Sequence, residues 1–282
     1  MLSAAREQWH CAPAVPYRVN FMCSSCISRR GLLASGLAAS FATSAWASET
    51  VEPRFRRSPS PIGKPRVALT LDACSGGFDQ RMADVLIRYE IKTTIFLTGR
   101  WIKRNPVALD QLLFHSSLFT FENHGARHVP PILGEDTMYG LAVAGTLDAV
   151  RREVEDGAQA IQAATGAKTT WYRGATARYS LEAITEIKRL GYKIAAYSLN
   201  ADRGASLPAA LAAAQMEKTQ NGDVIIGHIN QPGRSAGEGI VQGILTLRDK
   251  GFTFVDLDAL DLHEQTNRKK SRDRYNGPEI PI

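Results

Sequence analysis

Two of the six histidines, His124 and His128, lie four residues apart directly after the apolar run 117–123. An apolar run of this length predicts a buried strand, so the pair would follow its carboxyl end, where α/β folds place their chemistry. Two neutral imidazoles at this spacing can bind one metal ion. The alternative is a pair of surface histidines in a loop, and the residues at the other strand ends decide between the two.

These residues need an α/β frame to hold them, and the hydrophobic pattern predicts one. Strands are predicted over residues 67–71, 93–97, 117–123, 169–172, 193–199, 224–229 and 252–255. Helices are predicted over 80–89, 101–115 with a break near Pro106, 141–164, 181–190, 207–218 and 237–249. Such alternation predicts a parallel sheet of about seven strands, either closed into a barrel or open. The first βα turn, residues 74–78, lacks Gly-x-Gly-x-x-Gly, which argues against a nucleotide-binding open sheet.

Polar residues stand at or just beyond the carboxyl ends of successive predicted strands. In chain order they are Asp72; Glu122, His124 and His128; Tyr172 and Arg173; Asn200 and Asp202; and His228 and Asn230. A barrel would bring these groups to one mouth, and the set predicts a hydrolytic site. Structural roles are the alternative: a helix cap for Asp72, an ion pair for Arg173, a buried core position for His228 and a turn for Asn200.

The N-terminus predicts an exported protein. Arg29 and Arg30 precede an uncharged, weakly hydrophobic stretch over residues 34–46, which ends in an Ala-x-Ala cleavage pattern at Ala47. This arrangement is typical of a twin-arginine signal peptide, so the export machinery is an expected partner and the periplasm or the exterior the expected location. An uncleaved membrane anchor is the alternative, but the stretch is too short and too rich in small residues for a stable span. Met22 is an alternative start to Met1.

Composition excludes several classes of protein. At 44% hydrophobic and 22% charged residues, neither disorder nor a membrane bundle is indicated. Three of the four cysteines lie in the predicted leader, which leaves Cys74 without a partner for an intrachain disulfide. The leader also contains four of the 34 basic and one of the 28 acidic residues, so its removal lowers the net charge from +6 to about +3. Nucleic-acid binding thereby loses its main support.

Four segments are therefore predicted along the chain. They are a signal peptide over 1–47, an extended linker rich in Pro, Arg and Ser over 48–65, a catalytic domain over 66–260 and a polar tail over 261–282.

The order of these residues resembles the polysaccharide deacetylases of the NodB-homology class, carbohydrate esterase family four. The resemblance covers residues 66–260 and five short motifs. These motifs correspond to Thr70-Leu71-Asp72-Ala73-Cys74, the pair His124 and His128, Arg173, the stretch 200–204 and Ile226-Gly227-His228. It implies a distorted (β/α) barrel, a deacetylase-like fold shared with glycoside hydrolases.

The resemblance also implies a role for each matching residue. Asp72 would be the general base, His228 the general acid and Arg173 the residue that orients Asp72. Asp202 would pair with His228, and His124 and His128 would bind a divalent metal. Beside them, Asn200, Asn230 and Tyr172 are predicted to contact the substrate.

One departure from the family pattern affects the metal. The family's second aspartate of the first motif is a metal ligand, and Ala73 stands in its place. The third ligand is then Asp72 itself, Cys74, Asp79 or Glu122, or the site works without metal. A cysteine ligand would favour zinc.

The resulting hypothesis is an exported hydrolase that removes acetyl groups from an N-acetylated amino-sugar polysaccharide by metal-assisted attack of water. Two alternatives stay open: a non-catalytic protein that binds glycans of the envelope, and a metal-free hydrolase of another C–N bond.

Overall fold

The structure is a computed structural model and describes residues 50–56, 63–134 and 136–260. The predicted signal peptide and the predicted polar tail lie outside the described residues, as does the middle of the predicted linker.

The strands of the described residues are numbered along the chain. They are β1 (Thr50–Val51), β2 (Arg66–Ala73), β3 (Thr93–Leu97), β4 (Phe119–Asn123), β5 (Thr137–Met138), β6 (Leu141–Ala142), β7 (Trp171–Tyr172), β8 (Tyr179–Ser180), β9 (Lys193–Ile194), β10 (Leu199–Asn200), β11 (Val224–His228) and β12 (Thr253–Phe254).

The helices lie mainly between the strands of the sheet. They are α1 (Gln80–Arg88), α2 (Gly99–Arg104), α3 (Pro106–Phe114), α4 (Leu147–Thr165), α5 (Leu181–Arg189), α6 (Ala209–Met216) and α7 (Ala236–Asp249), with a short 3₁₀ turn at Ala175–Ala177.

The central sheet is parallel and curls into a distorted (β/α) barrel. Seven strands pair in the order β10-β11-β2-β3-β4-β7-β9, and β12 pairs with the start of β2. The predicted fold is thereby confirmed. Strand β2 is buried along nearly its whole length, as expected for a parallel strand covered on both faces. Its Thr70 hydroxyl donates to the Ile225 carbonyl at 2.6 Å, which satisfies a polar group inside the core.

Two apolar clusters lie on opposite faces of this sheet. The larger joins the outer face of the strands to the helices and contains Leu71, Leu97 and Trp101. The other contains Phe96 and Ile226, which lie on the same strand face as Asp72 by the strand registers. The barrel is therefore a packed core beneath its mouth rather than a channel.

Two predicted helices begin or break where the sequence chemistry requires. Pro106, which has no N–H to donate, is the first residue of α3 and separates it from α2, so the predicted break is confirmed. The long helix predicted over 141–164 was wrong at its start. Helix α4 begins at Leu147, because Thr146 caps it by accepting from the Ala149 N–H at 3.2 Å. Residues 141–142 instead form one arm of the β5–β6 hairpin.

Residues 50–56, which we call the N-terminal arm, lie in the predicted extended linker and pair with the barrel. Strand β1 pairs antiparallel with β8, and the Phe55 N–H donates to the Tyr197 carbonyl at 3.1 Å. Arg56 forms a bridge with Asp223 at the start of β11. The strand predicted over 193–199 is interrupted between β9 and β10, which do not pair with each other, and the arm contacts the chain there.

Candidate active site

The predicted site residues converge at the carboxyl ends of the barrel strands. His228 ends β11 and pairs in register with Asp72 near the end of β2. Asn123 of β4 pairs with Tyr172 of β7, which places the next residues, His124 and Arg173, side by side. Parallel strands carry their carboxyl ends on one edge, so these four residues share one mouth of the barrel.

Asp72 and Arg173 form a buried ion pair at the base of the site. The Arg173 guanidinium is fully buried, and its Nη1 donates to Asp72 Oδ1 and to Thr70 Oγ1, each at 2.8 Å. It also lies 4.2 Å over the Phe96 ring. Burial by itself would raise the pKa of Asp72, but the positive charges of Arg173 and the nearby histidines outweigh it and lower that pKa below its usual value. Asp72 is therefore ionised and held in one orientation.

His124 presents one ring nitrogen to the site. Its Nδ1 lies 2.6 Å from the Arg173 carbonyl oxygen, which can only accept, so Nδ1 carries the proton. Its Nε2 then faces Cys74 Sγ at 3.3 Å and Asp72 Oδ2 at 3.8 Å, and although burial alone would lower the pKa of His124, these two acidic groups raise it. A backbone carbonyl that fixes the tautomer in this way is common behind metal-binding histidines.

Cys74 completes a group of three metal-ligating side chains. Its sulfur and one ring nitrogen each of His124 and His128 all lie within 4.8 Å of one another. Burial raises the pKa of the Cys74 thiol, but the neighbouring histidines lower it well below its ordinary value. A thiolate and two imidazoles are a typical donor set for a divalent transition metal. Within the described residues this is the one such group.

The other two candidates for a third ligand have structural roles. Asp79 caps α1 by accepting from the Arg81 N–H at 3.2 Å, and its carboxylate pairs with the Arg81 guanidinium at 2.7 Å. Glu122 accepts from the Thr170 and Trp171 N–H groups at 2.9 and 2.8 Å. Burial raises the pKa of Glu122 to about 7 despite these bonds. Both predictions are corrected, because each carboxylate is already satisfied by neighbouring donors.

Asp202 holds His228 in place and favours the protonated form of its imidazole. The carboxylate accepts from the His228 N–H at 2.8 Å, and its Oδ1 lies 3.0 Å from His228 Nδ1. Burial alone would lower the pKa of His228, but Asp202 raises it well above its ordinary value. With Nδ1 facing Asp202, His228 turns its Nε2 edge away from that carboxylate, and His228 itself lines the cleft.

An open cleft of about 1190 Å³ lies over these groups. Asp72, Cys74, both histidines of the metal-ligating group and His228 line it, as do the N-terminal arm and the β5–β6 hairpin. Arg173 and Asp202 lie beneath its floor, where they contact the residues that do line it.

The three predicted substrate contacts differ in outcome. Asn200 and Asn230 line the cleft, although Asn200 Oδ1 also accepts from the Arg203 N–H at 2.7 Å as a turn residue would. Tyr172 does not line it and packs with Val150 and Val154 behind the sheet, so this prediction was wrong. The reason is strand alternation, because Arg173 faces the mouth and its neighbour must face away.

Backbone strain is concentrated around the cleft, which the sequence did not indicate. In the described part of the chain seven non-glycine residues have a positive φ, and five of them line the cleft: His128, Tyr139, Thr176, Ala177 and Arg203. Such conformations cost free energy and cluster at functional sites.

The mouth of this parallel barrel combines three groups: the carboxylate of Asp72, the imidazole of His228 and the metal-ligating side chains. Hydrolases use such a combination of a base, an acid and a metal. The model of the family described as polysaccharide deacetylase matches residues 60–195. This match confirms the family recognised from the motifs, from whose pattern the chain diverges at Ala73 in the first motif. This family comprises hydrolases that act on amide bonds. The search of curated proteins found no significant match.

Solved structures show the same fold at low identity. PdaA of Bacillus subtilis, a family 4 carbohydrate esterase, is 22% identical with a TM-score of 0.59, over 77% of this chain and 98% of that chain. The peptidoglycan deacetylase PdaC of Bacillus subtilis is 19% identical with a TM-score of 0.58, over 76% and 98%. A CE4 family pseudoenzyme from Bacillus anthracis is 20% identical with a TM-score of 0.56, over 72% and 69%.

Proposed function

We propose that this protein is an exported, metal-dependent hydrolase that removes acetyl groups from an N-acetylated amino-sugar polysaccharide. The observation that carries the proposal is the meeting of three groups in one cleft. They are an ionised carboxylate held by Arg173, an imidazole held by Asp202, and the metal-ligating group of Cys74, His124 and His128.

The donor chemistry fits a divalent transition metal, and zinc in particular. Cys74, His124 and His128 would hold the ion, and a thiolate beside two imidazoles favours a soft cation over magnesium or calcium. When bound, such an ion polarises the acetamide carbonyl and lowers the pKa of water at the site.

Asp72 is the proposed general base. It is ionised because the Arg173 guanidinium lowers its pKa, and Oδ1 is occupied by Arg173 Nη1. Oδ2 faces the metal-ligating group, 3.8 Å from His124 Nε2, and is the oxygen that would accept the proton from the attacking water. Arg173 is a positioning residue, since it acts through Asp72.

His228 is the proposed general acid. The Asp202 carboxylate keeps its imidazole protonated near neutral pH by raising its pKa. Nε2 can then deliver a proton to the amine nitrogen as the C–N bond breaks. A general base needs a low pKa so that it is ionised, and a general acid needs a high pKa so that it is protonated. The pKa of Asp72 is lowered and that of His228 is raised, as the two roles require.

Export by the twin-arginine pathway is the second part of the proposal. It rests on Arg29, Arg30 and the cleavage pattern at Ala47, and it would put the protein in the periplasm or outside the cell, where acetylated glycans occur. Among the described residues no helix is long and apolar enough to cross a membrane.

A non-catalytic glycan-binding protein is the second candidate function. Ala73 replaces a metal ligand of the family motif, and one of the similar structures is a pseudoenzyme by its own description. The ion pair of Asp72 with Arg173 and the contact of Asp202 with His228 favour the hydrolase, because a binding protein has no use for two oppositely tuned groups.

The test is acetate release from N-acetylated oligosaccharides by the mature protein, Asp72→Asn and His124→Ala. We expect release by the wild type and a loss of at least about 100-fold in Asp72→Asn, because general-base catalysis contributes that much. We expect a loss of similar size in His124→Ala, because it removes one of the three metal-ligating side chains. Asp84→Asn and His115→Ala are matched controls, since Asp84 is exposed on α1 and His115 contacts Phe114 at the end of α3.

Three results would point elsewhere. Equal release by the wild type, Asp72→Asn and His124→Ala would contradict the mechanism. Release that persists fully after metal removal would keep the hydrolase and discard the metal. Binding of the glycan without any release would favour the non-catalytic protein.

A further inference from the structure

The β5–β6 hairpin places an unusual residue at the edge of the cleft. Its strands pair Met138 with Leu141, which leaves a two-residue turn of Tyr139 and Gly140 with φ of +51° and +79°. Turns with two positive φ values favour Asn-Gly, because at positive φ a bulky side chain clashes with the backbone, whereas asparagine and glycine tolerate this conformation. Tyrosine is therefore a strained choice for this turn, which indicates a role for its side chain.

The Tyr139 ring is exposed and at the same time held in place. It is 73% exposed, it lines the cleft, and its hydroxyl accepts from Arg178 Nε at 3.2 Å. Arg178 Nη2 in turn pairs with Glu52 Oε2 of the N-terminal arm at 3.5 Å. Glu52 also accepts from the Tyr197 hydroxyl, which fixes it to the barrel. We call Tyr139, Arg178 and Glu52 the hairpin rim.

Three separate segments thus cooperate to hold one aromatic face at the cleft. An exposed aromatic ring held by a guanidinium loses little freedom when a ligand stacks on it. The apolar C–H face of a pyranose ring is suited to such stacking, and the sugar hydroxyls can bond the polar groups beside it. By contrast, the exposed Phe114 ring lies outside the cleft lining.

Resting on the proposed function, we propose that the hairpin rim is a sugar-binding subsite in which Tyr139 stacks on a pyranose ring of the glycan away from the reacting acetamide. The hairpin rim would then select chains of several sugars over single sugars. The N-terminal arm would be part of the binding site through Glu52.

The experiment measures binding of a β-1,4-linked N-acetylglucosamine tetrasaccharide by calorimetry. All proteins carry Asp72→Asn, so that the ligand is not consumed. Tyr139→Asn removes the ring but creates the Asn-Gly turn, so the hairpin is kept or strengthened. We expect Kd to rise about tenfold in Tyr139→Asn and to stay within about twofold in Tyr139→Trp, which keeps a stacking face.

The matched control is Phe114→Ala, which removes an exposed ring outside the cleft and leaves Kd unchanged. Glu52→Gln removes the charge that holds Arg178, and we expect a smaller rise of about threefold. A Kd for Tyr139→Asn within about twofold of the parent would overturn the subsite, and so would the absence of any binding by the parent.

Acetate release by the protein with Asp72 intact separates this proposal from the proposed function. Release together with an unchanged Kd in Tyr139→Asn overturns the subsite and leaves the deacetylase. A raised Kd in Tyr139→Asn without any release supports the subsite and overturns the hydrolase.

Discussion

Cys74→Ser exchanges one sulfur atom for oxygen in the proposed metal site. The thiolate is the only anionic donor among the three ligands, whereas a serine hydroxyl stays protonated at neutral pH and binds zinc poorly. Cys74 Sγ is buried and lies 3.3 Å from His124 Nε2, closer than the Asp72 Oδ2 atom at 3.8 Å, so it is the nearer anionic donor to that nitrogen.

The size of the effect follows from this loss of one donor in three. Changes to groups behind a metal ligand already cost 10- to 100-fold in affinity, so the loss of the ligand itself should lower zinc affinity by more than about 100-fold, or ~2.8 kcal/mol. The assay is a zinc titration of the metal-free mature protein against a competing chelator. Zinc binding by Cys74→Ser within about threefold of the wild type would show that Cys74 is not a zinc ligand.

Ala73→Asp is the informative companion variant, because it restores the family residue. The Ala73 side chain is fully buried in the apolar cluster with Leu97 and Trp101, on the face opposite Asp72. A carboxylate there would be unpaired, and we expect a loss of about 3–5 kcal/mol in the free energy of unfolding. We therefore expect that Ala73→Asp does not rescue zinc binding in Cys74→Ser, and a rescue would show that the strand end rearranges.

Three further predictions concern the charges around the site. Arg173→Lys cannot keep both the contact with Asp72 and the stacking on Phe96, so urea unfolding should show a loss of about 1–3 kcal/mol. Asp202→Asn removes the charge that raises the pKa of His228; that pKa falls, and the alkaline limb of the kcat profile should move to lower pH. The pKa of Glu122 is about 7 in the folded protein and 4.5 in the unfolded chain, so the fold favours the protonated carboxyl. The contribution of Glu122 to the free energy of unfolding is therefore fully present below pH 4.5 and is lost as the pH rises through 7. Glu122→Gln should abolish that loss, worth up to about 3 kcal/mol between pH 4.5 and 8 in thermal unfolding.

The sequence was sufficient for the frame of the site. Alternating apolar runs predicted the parallel barrel, and the polar residues after them predicted which side chains meet, since Asp72, Arg173 and His228 do converge. Cys74 was one of four candidates for a third ligand. The choice among them needed coordinates, because caps and strand-end hydrogen bonds occupy carboxylates whose types alone suit a metal.

Other features depended on contacts between distant segments. The N-terminal arm has the composition of a linker, and only its pairing with β8 and Tyr197 makes it a wall of the cleft. The second strand of the hairpin, residues 141–142, stands where periodicity predicts the start of the helix over 141–164. Tyr172 is different, since strand alternation relative to Arg173 was enough to predict that it faces away from the mouth.

We propose that a metal held by Cys74, His124 and His128 serves hydrolysis in this cleft. Acetate release from an N-acetylated oligosaccharide by metal-free mature protein, before and after addition of one equivalent of zinc, tests this role of the metal. We expect negligible release before addition and full recovery afterwards, with no recovery in Cys74→Ser. Equal release by the metal-free and the zinc-loaded protein would show that the metal takes no part in hydrolysis.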